Sequence, residues 1–117
     1  VGCKYSQEHR YEEGYYDCSS LVQRLYQEVG ISLPAIASTQ GEFMVTHGLE
    51  VTEGELEPGD LIFYSYEQNG QFRNISHVAI YVGNGRMVHA ANSRRGVVND
   101  PFNPSNIGLY GRPSRLQ

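Results

Sequence analysis

The sequence predicts one α+β domain over residues 1–117, with a cysteine-bearing helix near its N-terminus packed on a central antiparallel β-sheet. Three observations predict this class. An amphipathic helix pattern follows Asp17, two β-rich runs surround the Gly-Asn-Gly stretch at residues 83–85, and the helical patterns precede the strand patterns instead of alternating with them. The chain opens inside what looks like structured sequence. We therefore expect a domain excised from a longer protein.

The first helix is predicted within the stretch YYDCSSLVQRLYQEVG, at residues 15–30. Asp17 is a favoured N-cap residue and Gly30 a favoured stop. Cys18 falls in the first turn, where the unpaired backbone N–H groups and the helix dipole favour a thiolate over a thiol. The spacing predicts that Cys18 lies at the N-terminal edge of a buried stripe, which consists of Leu21, Val22, Leu25 and Val29.

The remaining elements follow in order along the chain. A second, shorter helix is predicted around residues 37–44, after Pro34. The turn in LEPGD predicts a strand over residues 61–66, and Asp60 in that turn is interpreted as a structural cap. The stretch ISHVAIYVGNGRMVHAA predicts a β-hairpin. The tail is rich in Gly, Pro and Asn, and we expect loops there with one more strand near residues 108–112.

Composition and charge exclude several function classes. The net charge of −4 argues against nucleic acid as a partner, since its binding requires a cationic face. No apolar run approaches the roughly 18 residues that span a bilayer, so we expect no membrane insertion. Two cysteines allow at most one disulfide, which is no framework for a small secreted scaffold. The spacing of Cys3 and Cys18 leaves open whether they pair.

The two histidines of the hairpin are candidate partners for Cys18. A cysteine nucleophile needs a base, and the base needs an orienting partner on its other ring nitrogen. Side chains alternate along a strand, so the turn length decides whether His77 and His89 share a face. A two-residue turn at residues 84–85 separates them unless a bulge intervenes, whereas a three-residue loop at residues 83–85 places them together. Local turn preference does not decide between these, and the functional hypothesis favours the three-residue loop.

Two other uses of Cys18 remain open at this point. Buried cysteines often act as small hydrophobic residues. A zinc site built from Cys18, His77 and His89 is a second alternative, although it would lack the closely spaced ligand pairs of most structural zinc sites.

Three segments together resemble the NlpC-type cell-wall peptidases, a branch of the papain-like cysteine peptidases. These are YYDCSSLVQRLYQEVGISLP, LEPGDLIFY and SHVAIYVGNGRMVHA, in the family's order. The resemblance implies that Cys18 is the nucleophile, that His77 is the general base and that His89 orients it. It also places Tyr5, in GCKY, near the oxyanion and the substrate. The glycine-rich stretch that the family usually has after this tyrosine is replaced here by SQEHRYEEG.

The resemblance further implies a fold and an activity. We expect a papain-like domain that cleaves an amide bond in the peptidoglycan stem peptide, between γ-D-glutamate and diaminopimelate or lysine, through a thioester on Cys18. We expect no metal or organic cofactor, a monomer, and a secreted or wall-associated bacterial protein. Two alternatives are an amidase of the CHAP group, which cuts between sugar and stem peptide, and a non-catalytic wall-binding module.

Overall fold

The computed structural model describes residues 4–5, 15–92 and 95–116, with the side chains of residues 17–91 and 95–116. Two short parallel strands, β1 and β2, come first and are followed by the helices α1 and α2. Six further strands, β3 to β8, form one sheet in the order β3-β8-β4-β5-β6-β7, in which every neighbouring pair is antiparallel. The elements are β1 (Lys4–Tyr5), β2 (Tyr15–Tyr16), α1 (Cys18–Gln27), α2 (Ala37–Thr46), β3 (Glu50–Val51), β4 (Leu61–Tyr64), β5 (His77–Gly83), β6 (Arg86–Asn92), β7 (Gly96–Pro101) and β8 (Ile107–Gly111).

This arrangement confirms the predicted α+β class and the antiparallel sheet. The predicted helices and the strands β4, β5, β6 and β8 are all present, with boundaries that differ by a few residues. The prediction of a tail with only one strand was wrong. Residues 96–101 form β7, which pairs with β6 along its length, and Val97 is buried on the side of the sheet that faces α1. The segment has the composition of a loop because it also contains Asn99, Asp100 and Pro101. None of the described helices is long and apolar enough to cross a bilayer.

Helix α1 begins where the sequence predicts, because Asp17 and Ser20 cap it reciprocally. The Asp17 carboxylate accepts from the Ser20 backbone N–H at 2.8 Å, and Ser20 Oγ accepts from the Asp17 backbone N–H at 3.0 Å. Cys18 is therefore held in the first turn. The predicted buried stripe is only half correct. Leu21 and Val22 are buried, but Leu25 and Val29 near the end of the helix are 43% and 62% exposed.

The sheet presents two different faces, because side chains alternate along each strand. On one face Val78 packs in a cluster with Val22, and Ala90 packs with Leu21, so this face carries α1. The opposite face carries a second cluster, which consists of Val51, Ile62, Tyr64, Ala79, Met87 and Tyr110. Residues 77 and 89 alternate with Val78 and Ala90 and therefore belong to this second face.

The predicted three-residue loop in the hairpin was wrong. Gly83 pairs with Arg86 across a two-residue turn in which Asn84 and Gly85 both have positive φ, at 54° and 70°. The register shifts between Tyr81 and Gly83, because Tyr81 pairs with Met87 and leaves one extra residue in β5. This bulge supplies the odd residue that the loop was expected to supply. Both imidazoles consequently lie on one face, as predicted, although a bulge in β5 and not a three-residue loop places them there.

Asp60 has the structural role that the sequence suggested. Its carboxylate accepts from the Glu57 backbone N–H at 2.8 Å, which closes the turn before β4. The same carboxylate receives two hydrogen bonds from the Arg112 guanidinium, at 2.8 and 2.9 Å, and so links this turn to the end of β8. Asp60 is only 2% exposed, whereas Glu57, the other acid beside Arg112, has a side chain that is 67% exposed.

Replacing Asp60 by Ala should lower the free energy of unfolding by about 3 kcal/mol, because it leaves the shielded Arg112 cation without its buried counterion. The matched change Glu57→Ala removes an exposed partner of the same cation and should cost at most about 0.5 kcal/mol. Urea unfolding of both variants measures the difference. Equal losses in the two variants would contradict this account of the turn.

Candidate active site

The Cys18 thiol lies at the N-terminal end of α1, at the border between the core and a surface cleft. It is 9% exposed and packs in the same cluster as Val22. The thiol also lines a cleft of about 280 Å³ that α1, the start of α2 and the loop before β5 enclose. A shielded thiol at a helix N-terminus that still reaches a cleft has the environment of a nucleophile, in contrast to a purely structural cysteine.

His77 and His89 are in direct contact. His77 Nε2 lies 2.8 Å from His89 Nδ1, and the two rings meet edge to face with their centroids 5.0 Å apart. The pairing of Ile80 with Val88, continued along the strands, sets His89 opposite Ala79 and one pleat away from His77. The hydrogen bond occupies Nε2 of His77 and leaves Nδ1 as the ring nitrogen for other chemistry.

Two further residues, which the sequence analysis did not single out, extend this contact. His89 Nε2 lies 2.9 Å from Asp100 Oδ2. The Arg95 guanidinium donates to both oxygens of Asp100, at 2.7 and 2.9 Å. Asp100 comes within reach because Val98 pairs with His89, which makes Asp100 the diagonal neighbour of His89 on the same face. The signal that could have found it was therefore β7 itself, the strand that the sequence analysis missed.

The electrostatics of this group are set by burial and by the ion pair. The hydrogen bonds from Arg95 and then from His89 hold the pKa of the Asp100 carboxyl well below its usual range, so Asp100 is an ionised acceptor near neutral pH. Burial, followed by the proximity of His89, lowers the pKa of His77 to about 4. Near neutral pH the His77 imidazole is therefore neutral and can accept a proton.

Tyr66 lies beside the histidine pair. Its ring lies 6.3 Å from the His77 ring, centroid to centroid, and stacks on Tyr64 at 5.6 Å. Burial, and secondly the charge of Cys18, raises the pKa of Tyr66. Cys18 lines the same cleft as Ser76, which directly precedes His77, so both groups lie at the end of the sheet where β5 begins. Direct contact between Cys18 Sγ and His77 Nδ1 stays a prediction.

The cleft beside Cys18 combines apolar and polar side chains and is almost without charge. Asp17 is the single carboxylate among its described lining residues, and this group is already engaged by Ser19 Oγ and the Ser20 backbone N–H. None of these lining residues is a lysine or an arginine. Such a surface suits neutral hydrogen-bonding groups such as peptide amides, for which it offers side chains from three elements: Ser19, Ser38, Asn69, Gln71 and Ser76.

The other predicted site residues have different outcomes. Tyr5 lies in β1 and pairs with Tyr16, which brings its backbone beside the start of α1, but its side chain is outside the part that the structure describes. Cys3 also lies outside the described residues. The zinc alternative gains no support, because the described residues contain no group of three or more His, Cys, Asp or Glu side chains that could hold a metal ion.

Comparisons with known proteins point to one family. The sequence profile of the NlpC/P60 family matches residues 4–107. The chain is 33% identical over 101 residues to the γ-D-glutamyl-L-lysine dipeptidyl-peptidase of Bacillus cereus, covering 86% of this chain and 28% of that protein. It is 37% identical over 90 residues to the peptidoglycan DL-endopeptidase CwlO of Bacillus licheniformis, covering 76% and 18%.

A solved structure supports the same relationship. The NlpC2 protein of Trichomonas vaginalis superposes with a TM-score of 0.81 at 28% identity, covering 97% of this chain and 42% of that one. The present chain therefore spans less than a third of the length of the two curated relatives and less than half of this structural relative. The similarity concerns the domain described above.

The imidazole of His77 should titrate near pH 4 in the folded protein and near its ordinary value of about 6.5 after unfolding in urea. Because the unfolded chain binds this proton first, the corresponding stability is complete above about pH 6.5 and is lost as the pH falls toward 4. Nuclear magnetic resonance of the ring protons measures both midpoints. A folded-state midpoint above 6.5 would contradict the burial of a neutral base.

Proposed function

The chain belongs to the NlpC/P60 family, and on that premise we propose that it is a cysteine endopeptidase that cleaves an amide bond in the peptidoglycan stem peptide. The favoured bond joins γ-D-glutamate to diaminopimelate or lysine, because the Bacillus cereus relative is named for γ-D-glutamyl-L-lysine. Two observations carry the proposal: the hydrogen bond between His77 and His89, and the position of Cys18 at a helix N-terminus on a cleft of about 280 Å³.

The chemistry divides between three side chains. Cys18 Sγ attacks the scissile carbonyl while its proton passes to His77 Nδ1. The negative oxygen of the tetrahedral intermediate accepts a hydrogen bond from the Cys18 backbone N–H, which belongs to the positive end of α1. His77 then returns the proton to the leaving amine, and the C–N bond breaks to give a thioester on Cys18. His89 holds the ring of His77 through Nε2.

Hydrolysis completes the cycle with the same groups. A water molecule gives one proton to His77 Nδ1 and adds to the thioester carbonyl. The C–S bond then breaks, the proton returns to sulfur, and the peptide leaves with a free carboxyl group, which releases its proton to the solvent. No step requires a metal ion or an organic cofactor. Because peptidoglycan lies outside the cytoplasmic membrane, the proposal also implies that the protein works as a secreted or wall-associated hydrolase.

Replacing the three side chains should reduce hydrolysis of purified muropeptides to different extents. Cys18→Ala should leave no measurable product, His77→Ala should lower kcat by about 1,000-fold, and His89→Ala should lower it less, by about 10- to 100-fold, because His89 acts only through His77. His47→Ala is the matched control, since it removes an exposed imidazole that stacks on Phe43. Mass spectrometry identifies the products.

The product masses also separate the alternatives. Cleavage within the stem peptide supports the proposal, whereas release of intact stem peptide from the sugar would indicate an amidase. Wall binding without any product would indicate a binding module. Full activity of Cys18→Ala would refute the cysteine mechanism itself.

A further inference from the structure

The hydrogen bonds of the histidine pair continue from His89 to the ion pair between Asp100 and Arg95, and this ion pair fixes their direction. An ionised carboxylate can only accept hydrogen bonds. Asp100 Oδ2 lies 2.9 Å from His89 Nε2, so this nitrogen of His89 must carry a hydrogen. In neutral His89 the other nitrogen, Nδ1, is then an acceptor.

The direction propagates to the next ring. His89 Nδ1, as an acceptor, receives its hydrogen bond from His77 Nε2 at 2.8 Å, which must therefore carry the hydrogen of neutral His77. The lone pair of His77 is left on Nδ1. With the opposite direction, His77 would carry its hydrogen on Nδ1 and could not accept a proton there.

We propose that Asp100 and Arg95 are positioning residues that fix the tautomers of both imidazoles and so place the basic lone pair of His77 on Nδ1. This inference rests on the proposed function for its catalytic consequence, but the tautomers themselves do not depend on the substrate. Asp100 supplies the acceptor. Arg95 keeps that acceptor ionised and holds both of its oxygens in place, at 2.7 and 2.9 Å.

The surroundings explain why an ion pair is needed here. Asp100 is carried by the edge strand β7, and its side chain is 21% exposed, so water competes for its oxygens. The side chain of His89 is only 10% exposed and has His77 and Asp100 as its ring partners. A two-pronged contact from Arg95, which precedes β7, restricts the carboxylate to the orientation that faces His89.

The substitution Asp100→Asn tests the proposal, because an amide has nearly the same shape but can donate as well as accept. Its kcat on muropeptides should fall by about 10-fold, no more than after loss of His89, through which Asp100 acts. Its KM should change by less than about threefold, since Asp100 is not among the described residues that line the cleft. Asn99→Ala is the matched control. Asn99 is the preceding residue of the same strand and accepts from Arg86 at 2.8 Å, away from the histidines. It should keep kcat within about twofold.

A second readout is independent of activity. In ¹⁵N spectra of the imidazoles at neutral pH, the wild-type protein should show Nε2–H for both His77 and His89, and Asp100→Asn should change this pattern whereas Asn99→Ala should not. Wild-type spectra with hydrogen on Nδ1 of His89 would overturn the proposal even if Asp100→Asn failed to fold. Unchanged kcat and unchanged spectra in a folded Asp100→Asn would also overturn it. If the wild type cleaved no muropeptide while the tautomers behaved as expected, only the proposed function would fail.

Discussion

The hydrogen bond between His77 and His89 is the constraint on which the rest of the site depends. It requires two residues on neighbouring strands to share a face and to lie one pleat apart. The two-residue turn at Asn84 and Gly85 alone would have placed them on opposite faces, and the extra residue between Tyr81 and Gly83 restores the parity. A local irregularity in the hairpin therefore determines whether the site exists.

The same parity explains the position of the site at the end of the sheet. The imidazoles lie on the face opposite to the one that buries Val22 and Leu21 of α1. The thiol and the histidines can approach each other only where α1 and β5 both begin, where Cys18 and Ser76 line the same cleft. His77, whose pKa is lowered to about 4, is neutral near neutral pH. In the proposed mechanism, the charge of the Cys18 thiolate stabilises the protonated form of His77 while the proton is transferred. The low pKa is thus compatible with transient proton transfer.

The sequence predicted the parts of this site that depend on local signals. Asp17 and Gly30 bounded the helix approximately, and the three family-like segments indicated Cys18, His77 and His89 as a group. Leu25 and Val29 have the helical spacing of core residues but are exposed, because spacing identifies one face of a helix without telling how much of that face another element covers. The roles of Asp100 and Arg95 could not be predicted, since the contact of Asp100 with His89 depends on the pairing of β7 with β6. The Asn, Asp and Pro residues of β7 gave no strand signal in the sequence. Non-local register was the missing information.

Trapping the acyl-enzyme tests the central claim, covalent catalysis by Cys18, most directly. The wild-type protein would be mixed with a purified muropeptide, quenched in acid within milliseconds to seconds, digested and analysed by mass spectrometry. The account predicts that the peptide containing Cys18 transiently gains the mass of the acyl half of the substrate, at a rate that matches product formation. Product formation with Cys18 unmodified at every time point would contradict it.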